Sequence, residues 1–469
     1  MQFLSFPFLA FLAVVFLLYW AFPRRRFQNV LLLVASLVFV ASWSLQALAL
    51  LLISAFFEWL VASRMERLTA SRARLGLLWV SIGVNLAQLG FFKYAHFFLP
   101  QIRTAASLLG WNASSLSILV PVGISFWTLQ KMTMTLDVYF GRCPAERNFG
   151  RFLLFVAFFP NLVSGPIERA RRFLPQLDNA RGWDSRRFSE GVWLFAIGAL
   201  QKIVIADNVA DCATALLQPK ASGLAVLLGT WAYAIQIYSD FAGYSDMARG
   251  VARIFGIDIY QNFQAPYLAT NLADFWRRWH ASLTDWLNDY IFTPTSFVLR
   301  DWGTASIIVA TWATFLTSGL WHGTGWLFLF WGGIHALGLT IYTLTAKRRK
   351  KFNKKWGKTW WAKGLAGLIT FHWVCLGYVF FRASSFGEAV GHLQALFLGP
   401  WGELPKWNPA PLIASAIGIA VLQFRIRRTG NVFWIFDLGV WTRVILYAVL
   451  GFLLLRFYAP AEKFIYFQF

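Results

Sequence analysis

Ser318-Gly-Leu-Trp-His-Gly-Thr-Gly-Trp326 sets a histidine, His322, between a tryptophan and two glycines inside a long apolar run. A histidine at membrane depth is costly unless it is used or well paired. Gly323 and Gly325 carry no side chain, so the sequence predicts open space beside the ring for a second molecule. Imidazole is also the side chain best suited to moving protons near neutral pH. The bland alternative is a histidine hydrogen-bonded within a helix bundle, and nine residues do not separate the two.

Outward from this stretch the chain reads as a bundle of membrane spans. Of its 469 residues 58% are hydrophobic and 14% charged, with a mean hydropathy of +0.53; soluble domains carry roughly 45–50% apolar residues. Apolar segments of about 20 residues recur along the whole length. The first, Phe3–Phe22, has no basic leader and no small-residue cleavage site, so it reads as a retained helix. The net charge of +22 falls between the spans, at Arg24–Arg26, Arg64–Arg74, Arg169–Arg172, Lys347–Lys363 and Arg425–Arg428. That is the pattern of cytoplasmic loops and of affinity for lipid headgroups. No nucleic-acid motif accompanies it. Three isolated cysteines, Cys143, Cys212 and Cys375, offer neither metal-ligand spacing nor a disulfide framework.

The expected fold is all-α: one polytopic membrane domain over residues 1–469, with about eleven membrane-crossing helices and further re-entrant or interfacial pieces. Leu116–Phe140 contains Pro121, Gly123, Gln130, Lys131 and Asp137. It is either a kinked helix whose polar groups pair or the wall of an internal cavity. Phe149–Val163 is short for an upright span and reads as a re-entrant or interfacial element on the cytoplasmic side. Arg187–Ala206 and Leu224–Tyr238 form a hairpin, followed by a polar-aromatic loop, Tyr238–Asp246. Asp240 and Asp246 there lack a third carboxylate at ligand spacing and read as hydrogen-bonded residues.

Asn271–Phe292 reads as one interfacial helix. Phe275, Trp279, Leu283, Trp286 and Tyr290 make its apolar face, Asp274 caps it, and Arg277 and His280 share a second face. His280 is then a second histidine in a tryptophan-rich, half-polar setting, and the two histidines are expected to line one cavity. His335 reads as structural.

Five stretches carry a resemblance. They are Val120–Phe126, Phe159–Glu168, Gln236–Met247, Phe275–Leu283 and Gly319–Gly323, and the terminal Phe464-Ile-Tyr-Phe-Gln-Phe469 adds to them. In this order they resemble the membrane-bound O-acyltransferases (MBOAT), in particular the alginate O-acetyltransferase (AlgI-like) branch. Trp127, Lys131 and Asn288–Pro294 depart from that branch's pattern. The resemblance implies His322 as the active-site histidine and His280 as its assistant. It implies acetyl-CoA as donor substrate, with no permanently bound cofactor. It also implies an exported polysaccharide as acceptor (alginate-like, cellulose or peptidoglycan), a periplasmic SGNH-type acetyltransferase as partner, and residence in a bacterial inner membrane among its lipids. Because the donor cannot cross while the acceptor lies outside, Tyr466 is a candidate carrier of the acetyl group; otherwise it is an aromatic anchor of the tail. A lipid-linked-glycan transporter would need symmetric halves, and a non-catalytic scaffold of a secretion complex would leave His322 replaceable.

Overall fold

The computed structural model describes Met1, residues 3–108 and residues 121–458, the side chains of 95–108 excepted. Residues 116–120 of the expected 116–140 span, the side chain of His96, and Tyr466 lie outside the described residues. Contacts gather the chain into two compact units: Met1–Phe195 with Met247–Tyr260, and Ala196–Asp246 with Gln261–Phe469.

The first unit holds α1 (Phe6–Ala21), α2 (Arg25–Ala41), α3 (Leu45–Arg67), α4 (Ser71–Leu108), α5 (Ile124–Tyr139) and α6 (Phe149–Ala157). Ser5, Ser44 and Asn148 cap α1, α3 and α6 by accepting a backbone N–H of the first turn. Helix α5 is buried along nearly its whole length, and its polar residues have partners. Thr135 donates to Glu58, which also accepts from Ser81 and Asn85, each at 2.7 Å. Lys131 donates to Gln88 at 3.2 Å, Gln130 to the Phe155 carbonyl, and Asp137 pairs with Arg142 and Arg171 at 3.5 Å. The polar groups of this segment are thus paired with residues elsewhere in the first unit. Gly123 has φ +74°, and a Cβ there would meet the Leu162 carbonyl at 2.6 Å, so the start of α5 requires glycine. Glu168, fully buried in the turn after α6, accepts from the Tyr260 N–H, and burial pushes its pKa up to about 7.

Helix α7 (Ser185–Leu200) passes through one π-helical stretch, Gln201–Ala206, into α8 (Asp207–Leu216). Helix α9 (Gly223–Ile254) is 32 residues long. It runs straight through Tyr238–Asp246, where the sequence suggested a loop. Within the second unit the acidic groups of that stretch are held by the Gln201–Ala206 segment. Asp240 pairs with Lys202 at 2.8 Å, and Lys202 also reaches Asp207 at 2.6 Å. Asp246 accepts from Gln201 at 3.1 Å. Gly243 lets the backbone of α9 approach, since a Cβ there would meet the Gly198 carbonyl at 2.7 Å.

The second unit continues with α10 (Leu272–Arg278), α11 (Ala281–Leu287), α12 (Thr304–His322), α13 (Trp326–Leu344), α14 (Ala346–Trp356), α15 (Trp360–Arg382), α16 (Ala410–Thr429) and α17 (Val440–Phe457). Helices α12 and α13 form an antiparallel pair locked by reciprocal glycines. A Cβ on Gly319 would meet the Phe328 carbonyl at 2.3 Å, and one on Gly332 the Phe315 carbonyl at 2.4 Å. Small residues permit this close approach where lipid supplies no hydrophobic drive.

Among the described residues eight helical segments are long and apolar enough to cross a membrane. The chain is an all-helical, multi-pass membrane protein, its backbone polar groups satisfied within the helices. The difference from about eleven has local causes. Helix α1 has only 16 residues, α2 has 17, and α5 is a 16-residue helix carrying Lys131 and Asp137.

Candidate active site

The segment expected to be one helix is two. Asn271, not Asp274, caps α10, accepting the Asp274 N–H at 2.9 Å, and Asp274 pairs with Arg277 and Arg278 at 3.2 and 3.0 Å. The helix ends at Arg278, and His280 takes φ +45°, ψ +48°, a left-handed conformation uncommon for any residue but glycine. Asn262 stitches the break: its carbonyl accepts the Ala281 N–H at 3.0 Å and its side-chain oxygen the Ser282 N–H at 3.2 Å. Asn262 in turn donates to Ser245 on α9 at 3.1 Å. His280 therefore sits at a corner and does not share a helix face with Arg277. It is 1% exposed, with its ring edge-on to Phe241 at 4.7 Å.

His280 lies outside the eight spans, and burial pushes its pKa from 6.5 down to about 3, so the imidazole is neutral. The unfolded chain binds this proton below about 6.5, whereas the folded chain does so only near 3. The contribution to stability is therefore complete above pH 6.5 and is lost as pH falls toward 3. His280→Gln should flatten the fall in melting temperature between pH 7 and pH 5 relative to the parent chain, and an unchanged slope would contradict the assignment.

His322 is the last residue of α12, 6% exposed, and Gly323 turns the chain out in an extended conformation. Its ring is packed edge-on by Trp321 and Trp331, each at 4.9 Å, and by Phe381 at 5.4 Å. The space freed by Gly323 is filled by Phe328, whose ring a Cβ would meet at 2.1 Å. Gly323 thus admits an aromatic side chain of the protein itself, contrary to the expectation that it leaves room for a second molecule. Gly325, at φ +123°, has nothing within 4 Å of a Cβ position.

His280 and His322 line one cavity of about 290 Å³ within the second unit. Helix α12 contributes a single stripe to it: Ile307, Thr311, Thr314, Phe315, Ser318 and His322. From Ile307 to His322 a helix rises ~22 Å, so the cavity is long and narrow. At the Ile307 end it is bordered by Tyr342 and Thr343, directly before the basic α14. Thr311 and Thr314 donate their hydroxyls to carbonyls of their own helix at 2.7 Å, leaving oxygen lone pairs. The stripe was missed in the sequence, although its spacing of three and four residues is plainly helical. His335 does not line the cavity. It is buried behind it, 4.8 Å from Trp276 and 5.1 Å from Trp331, with Gly377 packed on its ring. Tyr466, the third site candidate, is among the residues not described.

A narrow cavity with two imidazoles is suited to proton transfer during group transfer. The model of the membrane-bound O-acyltransferase family, MBOAT, matches residues 145–384, which include both histidines and the whole cavity lining. The chain belongs to this family and is a membrane-bound O-acyltransferase. It is 34% identical over 434 residues to a probable alginate O-acetylase AlgI of Pseudomonas putida, covering 90% of this chain and 86% of that protein. It is 34% identical to a peptidoglycan O-acetyltransferase of Helicobacter pylori, covering 82% and 78%. A teichoic acid D-alanyltransferase of Bacillus subtilis is 32% identical over 56% of this chain and 69% of its own length.

Proposed function

We propose that this O-acyltransferase takes acetyl groups from cytoplasmic acetyl-CoA and passes them across a bacterial inner membrane for ester formation on an exported polysaccharide. The main support is the shared cavity: both histidines face it, and it runs along α12 toward the basic α14. In this reading the thioester arm lies along the Thr311–Thr314–Ser318 stripe with its carbonyl at His322. Neutral His322 takes the proton of the attacking hydroxyl, the carbon–sulfur bond breaks, and the leaving thiolate is reprotonated. His280 assists within the same cavity. Basic α14 attracts the donor's phosphates. The names of the alginate and peptidoglycan relatives support a polysaccharide acceptor. The resemblance supports a periplasmic SGNH-type partner. A donor confined to one side and an acceptor on the other favour a carrier on the protein, and Tyr466, the one hydroxyl of the terminal hexapeptide, is the candidate that first receives the acetyl group.

The test is thioester consumption by the purified protein in proteoliposomes loaded with labelled acetyl-CoA. Thr314→Trp blocks the stripe without touching either histidine and should slow release of the thiol by about 10²-fold, the scale of a misplaced substrate. An unchanged rate removes this cavity from the donor's path. In the same assay Tyr466→Phe keeps the ring and removes only the oxygen. Loss of acetyl transfer supports the carrier, and full transfer leaves direct transfer at His322.

A further inference from the structure

A larger cavity, of about 640 Å³, lies in the second unit outside the histidine site. Four cations border it: Arg349, Lys358, Lys363 and Arg427. No carboxylate does, and none of the four has an ion pair among the described residues. Arg349 is fixed in place. Its guanidinium donates to the Tyr342 carbonyl at 2.6 Å and lies over the Tyr342 ring at 3.3 Å from the centroid. Lys358 and Lys363 are exposed.

Below these charges the wall is apolar. Ala362, Ala366, Ile369 and Trp373 follow one another on α15 at helical spacing, a stripe that descends ~16 Å at the rise of an α-helix. Helices α13, α15 and α16, which supply the walls, are all of membrane-crossing length. Trp361 packs on Trp356 at 5.6 Å and on Phe352 at 6.3 Å at the rim, an aromatic cluster of the kind found at headgroup level. The cavity therefore has the profile of an amphiphile, with anion-binding groups at one end and hydrocarbon contact at the other. It is walled from the histidine site at Gly338, where a Cβ would meet Leu272 at 2.4 Å and Trp373 at 2.6 Å. Tyr342 borders both cavities.

We propose that this cavity binds an anionic phospholipid, its phosphate on the four cations and its acyl chains on the α15 stripe. Basic pockets between membrane helices recognise such headgroups. Four cations suit a headgroup with two phosphodiesters better than one with a single charge. The donor's own phosphates would satisfy the cations but leave the apolar stripe facing water, which is why a lipid is the better occupant. A bound lipid would back the Arg349–Tyr342 contact and so steady one wall of the active cavity.

Purified full-length protein, delipidated and supplied with phosphatidylcholine alone or with added cardiolipin, provides the test by native mass spectrometry and thermal unfolding. The parent chain should retain cardiolipin preferentially and melt higher with it. Lys358→Gln and Lys363→Gln, both exposed, should each weaken retention about fivefold without lowering the melting temperature in phosphatidylcholine. His322→Ala should retain the lipid normally. Excess coenzyme A should leave the cardiolipin bound. Displacement by coenzyme A overturns the proposal and gives the pocket to the donor's phosphates. Equal retention by the lysine variants, or no preference over phosphatidylcholine, overturns it as well.

Discussion

His322→Ala should abolish measurable acyl transfer, with a loss of about 10²–10⁴ in rate, the range for removing a general base. The chain should still fold. Helix α12 is held by its reciprocal glycine contacts with α13, and the turn after it depends on the Gly323 backbone and the Phe328 ring, not on the imidazole. Truncation leaves a small gap between Trp321, Trp331 and Phe381, a stability cost separable from chemistry by measuring unfolding beside ester formation. A variant that unfolds normally yet acylates at near the parent rate would show that the cavity is not the reaction site, and would favour a scaffold.

The second large effect is on stability. Lys202→Met should cost about 3–5 kcal/mol, the range for breaking a buried ion pair by removing one partner. Lys202 is 8% and Asp240 3% exposed at the side chain, and the pair is 2.8 Å apart. Lys202→Met combined with Asp240→Leu should recover part of the loss, since an apolar pair of similar volume is tolerated in place of a buried salt bridge, while Asp207, 26% exposed, still loses its contact with Lys202. The damage should also reach the site. Asp240 and Ser245 share α9, and Ser245 holds the Asn262 that stitches the corner carrying His280. A single variant losing less than about 1 kcal/mol would place the pair with exposed ion pairs, whose worth is small.

What the sequence revealed, and what it hid, follows from how local each cause is. Membrane spans are local properties of hydropathy, and most fell where the apolar runs do. His322 was legible because a polar residue in an apolar run stands out by itself. The corner at His280 was not: Phe275, Trp279, Leu283 and Trp286 keep helical spacing across it, and no glycine or proline marks it. Its cause, Asn262, lies well before the segment. Tyr238–Asp246 reads as a loop because polar and aromatic residues alternate along it, and the Lys202 that pairs with Asp240 sits on another element. The cap at Asn271 was mistaken for Asp274 because both are good cap residues within one turn. Only the Thr311–Thr314–Ser318 stripe was available to sequence reasoning and overlooked.

The glycine lock between α12 and α13 has a mechanical meaning. Backbone meets backbone at Gly319 and at Gly332, so one helix cannot slide along the other without a clash. A bilayer thicker or thinner than the pair is accommodated by tilt or by local deformation of the lipid, and α12 and α13 then move as a single rod. The distance from His322 to the basic end of that rod is a property of the protein, held constant across membranes of different thickness.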